Sequence, residues 1–286
     1  MLDGIKPYER PKMIFTTGQQ ASGKSILSRK AMQRFVGKGR QAIAFSRDDL
    51  RRYDPNRAEI FATRKSDYSA LTAYNASYWR DKLIEEAAKR NVNIVFEAVL
   101  KDDRFNEIKN AIMIAKQGGY RIQSWALAVH ENVSLYSMFN RYEDQIEESG
   151  EGDVPPHPKN HDEAYKQFPR LVVEMMKEGI FDKSIILDRS GKEYYNSAEG
   201  SEVGYLTIMS EARFTSFENA MQIGRQAFYD NPKWKHQMRD DWKKLIERME
   251  KRHASSKEMT LARTIMERCL SDKNEQRYND NDGLKK

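Results

Sequence analysis

Cysteine is almost missing from this sequence. Cys269 is the single one in 286 residues, so no disulfide can close within the chain and a four-cysteine zinc site is excluded. A reducing compartment, the cytoplasm, is the expected location. Long apolar runs are missing as well. No stretch approaches the ~20 residues that cross a bilayer, and the first ten residues lack the apolar centre of a secretory leader. Attachment to a membrane is therefore not expected. Internal repeats are absent. Charge of one sign is only mildly in excess: 49 Lys and Arg against 43 Asp and Glu leave a net +6. That balance suits an anionic ligand; it makes nucleic acid an unlikely partner without excluding one.

What is present is an alternation. Five short apolar runs, residues 13–17, 42–46, 93–97, 122–129 and 184–188, have the length and branched content of buried strands. Stretches with helical spacing separate them, at 24–35, 68–89, 103–116, 133–148 and 163–177. Strands alternating with helices predict an α/β fold, a parallel sheet flanked by helices. Gly118-Gly119 is a suitable helix end before the fourth strand.

Two segments break the pattern. Residues 149–161 hold three of the eight prolines, Pro155, Pro156 and Pro158, and read as a loop. It is either a lid or a plain surface connection. From residue 196 onward strand-like sequence is confined to 204–209, so residues 1–195 read as one domain and 196–286 as a helical extension. Within it Asn231-Pro232 predicts a helix start. Trp234, Met238, Trp242, Leu245 and Met249 then form one apolar stripe, read as packing onto the domain before it. From about residue 271 the chain is polar and expected to be disordered.

Chemistry enters with Gly18-Gln19-Gln20-Ala21-Ser22-Gly23-Lys24-Ser25, a full match to the phosphate-binding P-loop. Its context is right, with Ile14-Phe15-Thr16-Thr17 before it and a helix-forming run after. Gly18 and Gly23 allow the tight turn that aims successive N–H groups inward, and the helix N-terminus adds its dipole. Lys24 would reach the terminal phosphates of a bound triphosphate, and the Ser25 hydroxyl would ligate Mg²⁺. ATP and Mg²⁺ are therefore the expected ligands.

Two acidic sites accompany the loop. The second strand ends in Ser46-Arg47-Asp48-Asp49. Small-molecule kinases of this fold carry an acid there to take the acceptor hydroxyl's proton; a helix cap plus a first-turn acid would explain the same pair. The third strand ends in Glu97, at the crevice edge of a parallel sheet. It could hold Mg²⁺ through water or a substrate hydroxyl.

With these residues in view, the chain resembles the zeta toxins, kinase components of bacterial toxin–antitoxin systems, over residues 12–195. The likeness runs through the P-loop beginning at Thr17, Asp48-Asp49-Leu50-Arg51-Arg52-Tyr53-Asp54-Pro55, and Asn93-Ile94-Val95-Phe96-Glu97. It continues in Asn140-Arg141-Tyr142-Glu143, Pro158-Lys159 with His161-Asp162, and Leu187-Asp188-Arg189. The resemblance implies an ATP-dependent kinase acting on a hydroxyl of UDP-N-acetylglucosamine, and a small acidic antitoxin as partner. It implies that Asp48 is the general base, that Glu97 and Asp81 are substrate ligands, that Arg141 is a phosphate-binding lid arginine, and that Arg189 lies near the adenine end. The family motif Glu-Gly-Thr with a following arginine is replaced here by Glu97-Ala98-Val99-Leu100-Lys101. Lys101 keeps the charge, as a further substrate-side cation, but not the two-pronged grip of a guanidinium. A second lid arginine has no counterpart unless His157 or Lys159 serves. Two other readings stay open: a P-loop kinase for a polynucleotide or another small hydroxyl compound, and a nucleotide-binding relative without catalysis.

Overall fold

Strand β1 (Lys12–Thr17) is buried almost throughout, as a parallel strand covered on both faces must be. The computed structural model describes residues 1–64, 67–150, 155–197 and 211–271. It places β1 at the centre of a six-stranded sheet with β2 (Ala42–Ser46), β3 (Asn93–Ala98), β4 (Arg121–Leu127), β5 (Lys183–Leu187) and β6 (Glu193–Asn196), in the order β2-β3-β1-β4-β5-β6. The first five strands are parallel; β6 returns antiparallel at the edge. All five strand-like runs are strands. β6 was not legible, being four half-exposed residues without alternation.

Successive β1 residues face opposite layers. Met13 and Phe15 join one core with Ile94, Phe96 and Ile122. It is closed by helices α5 (Ala73–Lys89), α6 (Phe105–Gln117) and α8 (Pro158–Lys177). Ile14 joins the opposite core with Val95, Trp125 and Ile185. Leu27, Ala31 and Phe35 of α1 (Lys24–Val36) cover it. Three short helices, α2 (Arg47–Arg51), α3 (Arg57–Thr63) and α4 (Tyr68–Leu71), follow β2.

Several expected boundaries move for local reasons. The helix anticipated over 68–89 breaks at Thr72, whose hydroxyl donates to the Tyr68 carbonyl (2.7 Å). The loop anticipated over 149–161 is shorter. Pro158 opens α8 at its first turn, where a missing N–H costs nothing, and His157 caps that turn by accepting the Asn160 N–H. His157 is therefore a helix cap. The helix expected at Asn231-Pro232 begins at Trp234 instead. Asn231 accepts the Lys233 N–H through its side chain (3.0 Å) and the Trp234 N–H through its carbonyl (2.9 Å), forming the turn ahead of it.

The extension is helical where it is described. Helix α9 (Glu211–Gln226) buries Phe217, Ala220 and Met221 in the first core. Helices α10 (Trp234–Lys251) and α11 (Ser256–Leu270) build a third cluster. All five residues of the α10 stripe are buried, against Leu135, Met138 and Phe139 of α7 (Glu131–Ser149). The stripe thus packs on α7, within residues 1–195, as its reading anticipated. Residues 204–209 and the tail beyond 271 lie outside the described residues. No described helix is long and apolar enough to cross a membrane.

Candidate active site

The loop between β1 and α1 owes its shape to two glycines. A Cβ on Gly18 would sit 2.7 Å from Ser22 Oγ and 3.3 Å from Leu127 Cβ. Gly23 has φ +102°, in the left-handed region that favours glycine. The turn leaves polar atoms facing inward. Thr17 Oγ1, Gln19 Oε1, Gln20 Oε1 and Ser22 Oγ are buried without a hydrogen-bond partner among the described residues. A cluster of orphaned polar atoms in one loop fits a polar ligand that satisfies them.

Lys24, the first residue of α1, is buried and donates to the Gln19 carbonyl (2.8 Å). Burial brings its ammonium down to about 8, with Glu97 and Asp48 pulling it back up and Arg141 pushing it down. Those three residues together with Lys24 line one cleft on the β2 and β3 side of the loop. Ser25 follows, exposed, in the first turn of α1.

The two acids after β2 divide their work. Asp49 closes a capping box with Ser46: it accepts the Ser46 N–H (2.8 Å) and hydroxyl (2.7 Å) while Ser46 Oγ accepts its N–H (3.1 Å). Asp48 is left with a largely exposed carboxylate that lines the cleft and pairs with Arg51. Glu97, at the end of β3, accepts from Ser28 Oγ (3.0 Å), which in turn accepts from Thr16 Oγ1 (2.8 Å). Burial raises its pKa against the pull of Lys24 and that hydrogen bond.

Four charged cleft residues were not singled out from the sequence: Arg47, Arg80, Arg104 and Glu107. Arg80 was the most legible, because it falls in the buried row Ala76, Arg80, Ile84, Ala87 of α5. It donates to Glu107 Oε1 (2.6 Å), which also accepts from Ser77 Oγ (2.7 Å). Arg47 Nη2 is buried with no partner among the described residues.

Three sequence-derived candidates lie elsewhere. Asp81 is not among the cleft-lining residues and accepts from Arg80 Nε (2.8 Å) on α5. Lys101 turns to Glu163 (2.7 Å) and Asp103 (3.7 Å); the cation after β3 that lines the cleft is Arg104. Val99 does line it, so the hydroxyl missing from the motif is missing from the cleft wall. Arg189 sits on the far side of the loop. It donates to the carbonyls of Ser22 (2.8 Å) and Ala21 (2.6 Å) and to Ser137 Oγ (3.1 Å).

His161-Asp162 also finds its place. Ser134 Oγ lies 2.8 Å from His161 Nε2, and His161 Nδ1 lies 3.0 Å from Asp162 Oδ1. The order suggests a nucleophile, but Ser134 and His161 are fully buried. The string instead ties down the P-loop, since Gln19 Nε2 donates to both Ser134 Oγ (3.0 Å) and the Val129 carbonyl (2.9 Å).

The chain is similar to known proteins. A family model described as Zeta toxin matches residues 2–199. Two proteins named Toxin zeta, from Enterococcus hirae and Streptococcus pyogenes, are 23% and 22% identical over 199 residues, which is 70% of this chain and 68% of each of theirs. A solved structure from the PezAT chromosomal toxin–antitoxin system of Streptococcus pneumoniae has the same fold, with a TM-score of 0.61 and 20% identity over 78% of this chain and 87% of that one. The family match takes in the whole P-loop, both walls of the cleft and Arg189, and the chain belongs to the zeta toxin family of kinase-like phosphotransferases.

Proposed function

We propose that this protein is an ATP-dependent kinase that phosphorylates a hydroxyl of a UDP-amino sugar such as UDP-N-acetylglucosamine, and that it is the toxin of a toxin–antitoxin pair. The observation that carries the reading is the convergence of Lys24, Asp48, Glu97 and Arg141 on one cleft beside the phosphate loop. Asp48 takes the acceptor proton as the acceptor oxygen attacks the γ-phosphorus. The bond to the β–γ bridging oxygen breaks, and ADP leaves with the electron pair. Lys24 and Arg141 offset charge on the transferring group and the leaving oxygen. Glu97, more easily protonated than an ordinary carboxylate, binds an acceptor hydroxyl.

An anionic acceptor suits the cleft wall. Arg47, Arg80 and Arg104 line it, and the unpartnered Arg47 Nη2 is the kind of donor a diphosphate satisfies. Mg²⁺, when bound, neutralises the β- and γ-oxygens. The donor set fits that ion: the Ser25 hydroxyl stands exposed in the first turn of α1, next to Lys24, and Mg²⁺ is commonly held by phosphates, water and one or two protein oxygens. Ser25 would be the protein ligand. ³²P transfer from ATP to a panel of UDP-sugars and to 5′-hydroxyl oligonucleotides tests the acceptor. Transfer to a UDP-amino sugar is expected; transfer to oligonucleotides alone would replace the acceptor and keep the kinase. For the toxin role, expression without a partner is expected to arrest growth, and the Lys24→Ala form to be harmless.

Lys24 gives the reading a pH signature. Its ammonium titrates at about 8 in the free protein, and phosphates beside it would raise that value. ATP binding therefore takes up a proton near and above pH 8. Affinity is expected to be flat below that pH and to fall by up to about tenfold per unit above it. Titration calorimetry in buffers of differing ionisation heat measures the uptake directly; no proton linkage between pH 7.5 and 9.5 would remove Lys24 from the phosphate site.

A further inference from the structure

We infer that the C-terminal extension completes the nucleotide site by forming the outer wall of the pocket for the purine base. This inference rests on the reading of residues 18–25 as a triphosphate cradle, and it goes beyond the matched family span, which ends at residue 199.

Direction comes from the sheet. β1 carries the phosphate loop, with β3 and β2 on one side and β4 and β5 on the other. The acceptor cleft lies on the β3 and β2 side, where Lys24 and Asp48 meet. The phosphoryl group to be transferred must point there, so the nucleoside end must leave the loop toward β4 and β5. Arg189, which follows β5, marks that exit. Its side chain lies 3.4 Å from where a Cβ on Gly23 would stand, and it holds the carbonyls of Ala21 and Ser22.

A second cavity opens beside Arg189. Its inner wall is Tyr136 of α7, and its outer wall is Phe228 and Trp234 of the extension, whose rings lie 4.9 Å apart. Gln237 and Asp241 of α10 line it with polar groups. Aromatic faces with a few amide and carboxylate groups are what a purine needs: a stacking surface, and acceptors for its exocyclic or ring N–H groups. The acceptor cleft has a different character, being lined by arginines and carboxylates. Ala21 of the loop packs against the same aromatic cluster, so the extension adjoins the phosphate loop at this point.

Titration of the full chain with ATP and with inorganic tripolyphosphate separates base from phosphate. ATP is expected to bind about tenfold or more tightly than tripolyphosphate, and Trp234→Ala to remove most of that advantage while leaving tripolyphosphate affinity unchanged. Trp234 is also part of the third core, so the unaltered chain supplies an independent reading. Photolabelling with 2-azido-ATP, competed by ATP, is expected to mark residues within 227–241. Adducts confined to residues before 199, or equal affinity for the two ligands, would overturn the inference and leave the cradle standing. A chain that binds neither ligand would overturn both.

Discussion

Replacing Asp48 with asparagine is expected to slow phosphoryl transfer by ~10²–10⁴-fold while ATP affinity stays within about twofold. The magnitude is what a positioned general base contributes, and the selectivity follows from where Asp48 stands. Its carboxylate is largely exposed on the cleft wall, with Arg51 as its ion-pair partner. The Arg51 side chain is buried, but the asparagine oxygen can still accept from its guanidinium, and Arg51 keeps the Ser69 carbonyl as an acceptor (3.1 Å). The cap of α2 rests on Ser46 and Asp49, so the helix survives the change. Asp49→Asn supplies the contrast. It weakens the capping box, at a cost of about 1 kcal/mol, and should leave transfer largely intact. Single-turnover measurement with γ-³²P-ATP and the acceptor found by the substrate panel checks both variants. Near-normal transfer by the Asp48→Asn form would remove Asp48 as the base.

That contrast shows what the sequence could and could not reveal. Asp48-Asp49 was visible as a pair, but which acid caps and which faces the cleft depends on the α2 backbone. The central strands were legible because a parallel strand covered on both faces is a continuous apolar run, as in Met13–Thr17. The P-loop was legible because its backbone geometry requires glycine at fixed positions. Arg80 and Glu107 escaped because they come from different helices, 27 positions apart, and spacing does not record such a meeting. Lys101 stood out because it occupies the place of the motif's arginine, and a motif position does not show which cation reaches the cleft. The short 3₁₀ turn Asp102–Arg104 after β3 belongs with an arrangement in which Arg104 lines the cleft and Lys101 pairs with Glu163 on α8. Proline count misjudged residues 158–161, since Pro158 starts a helix as readily as it breaks one. Nor does spacing record which arginines of the extension meet which acids. Arg248, Arg252 and Arg268 are committed to carboxylates of α7 and α8.

The second large effect concerns those commitments. Arg252→Ala is expected to destabilise the fold by about 3 kcal/mol. Glu143, two residues beyond Arg141 on α7, is buried at 2% exposure and accepts two parallel bonds from Arg252, Nε to Oε2 (2.6 Å) and Nη2 to Oε1 (2.7 Å). Removing the guanidinium strands a carboxylate in a place water hardly reaches, and that desolvation is the source of the cost. The same guanidinium also donates to Glu258 (2.9 Å), which closes the cap of α11 with Ser255. One substitution therefore loosens α7, α10 and α11 together. Arg248 grips the other flank, donating to Asn140 (2.9 Å), Asp144 (2.7 Å) and Glu147 (2.7 Å). Arg141 thus stands on a helix segment held from behind by the extension while its own side chain lines the cleft. Arg252→Ala should accordingly lower kcat more than it raises KM for ATP, even where the variant is fully folded. Urea denaturation of Arg252→Ala, Glu143→Gln and the double variant tests the energetic part. The two single costs should exceed the double cost by at least about 1 kcal/mol, the coupling expected of groups in direct contact. Additive costs would mean that Glu143 and Arg252 act independently, and an unaltered kcat in folded Arg252→Ala would mean that the extension does not position Arg141.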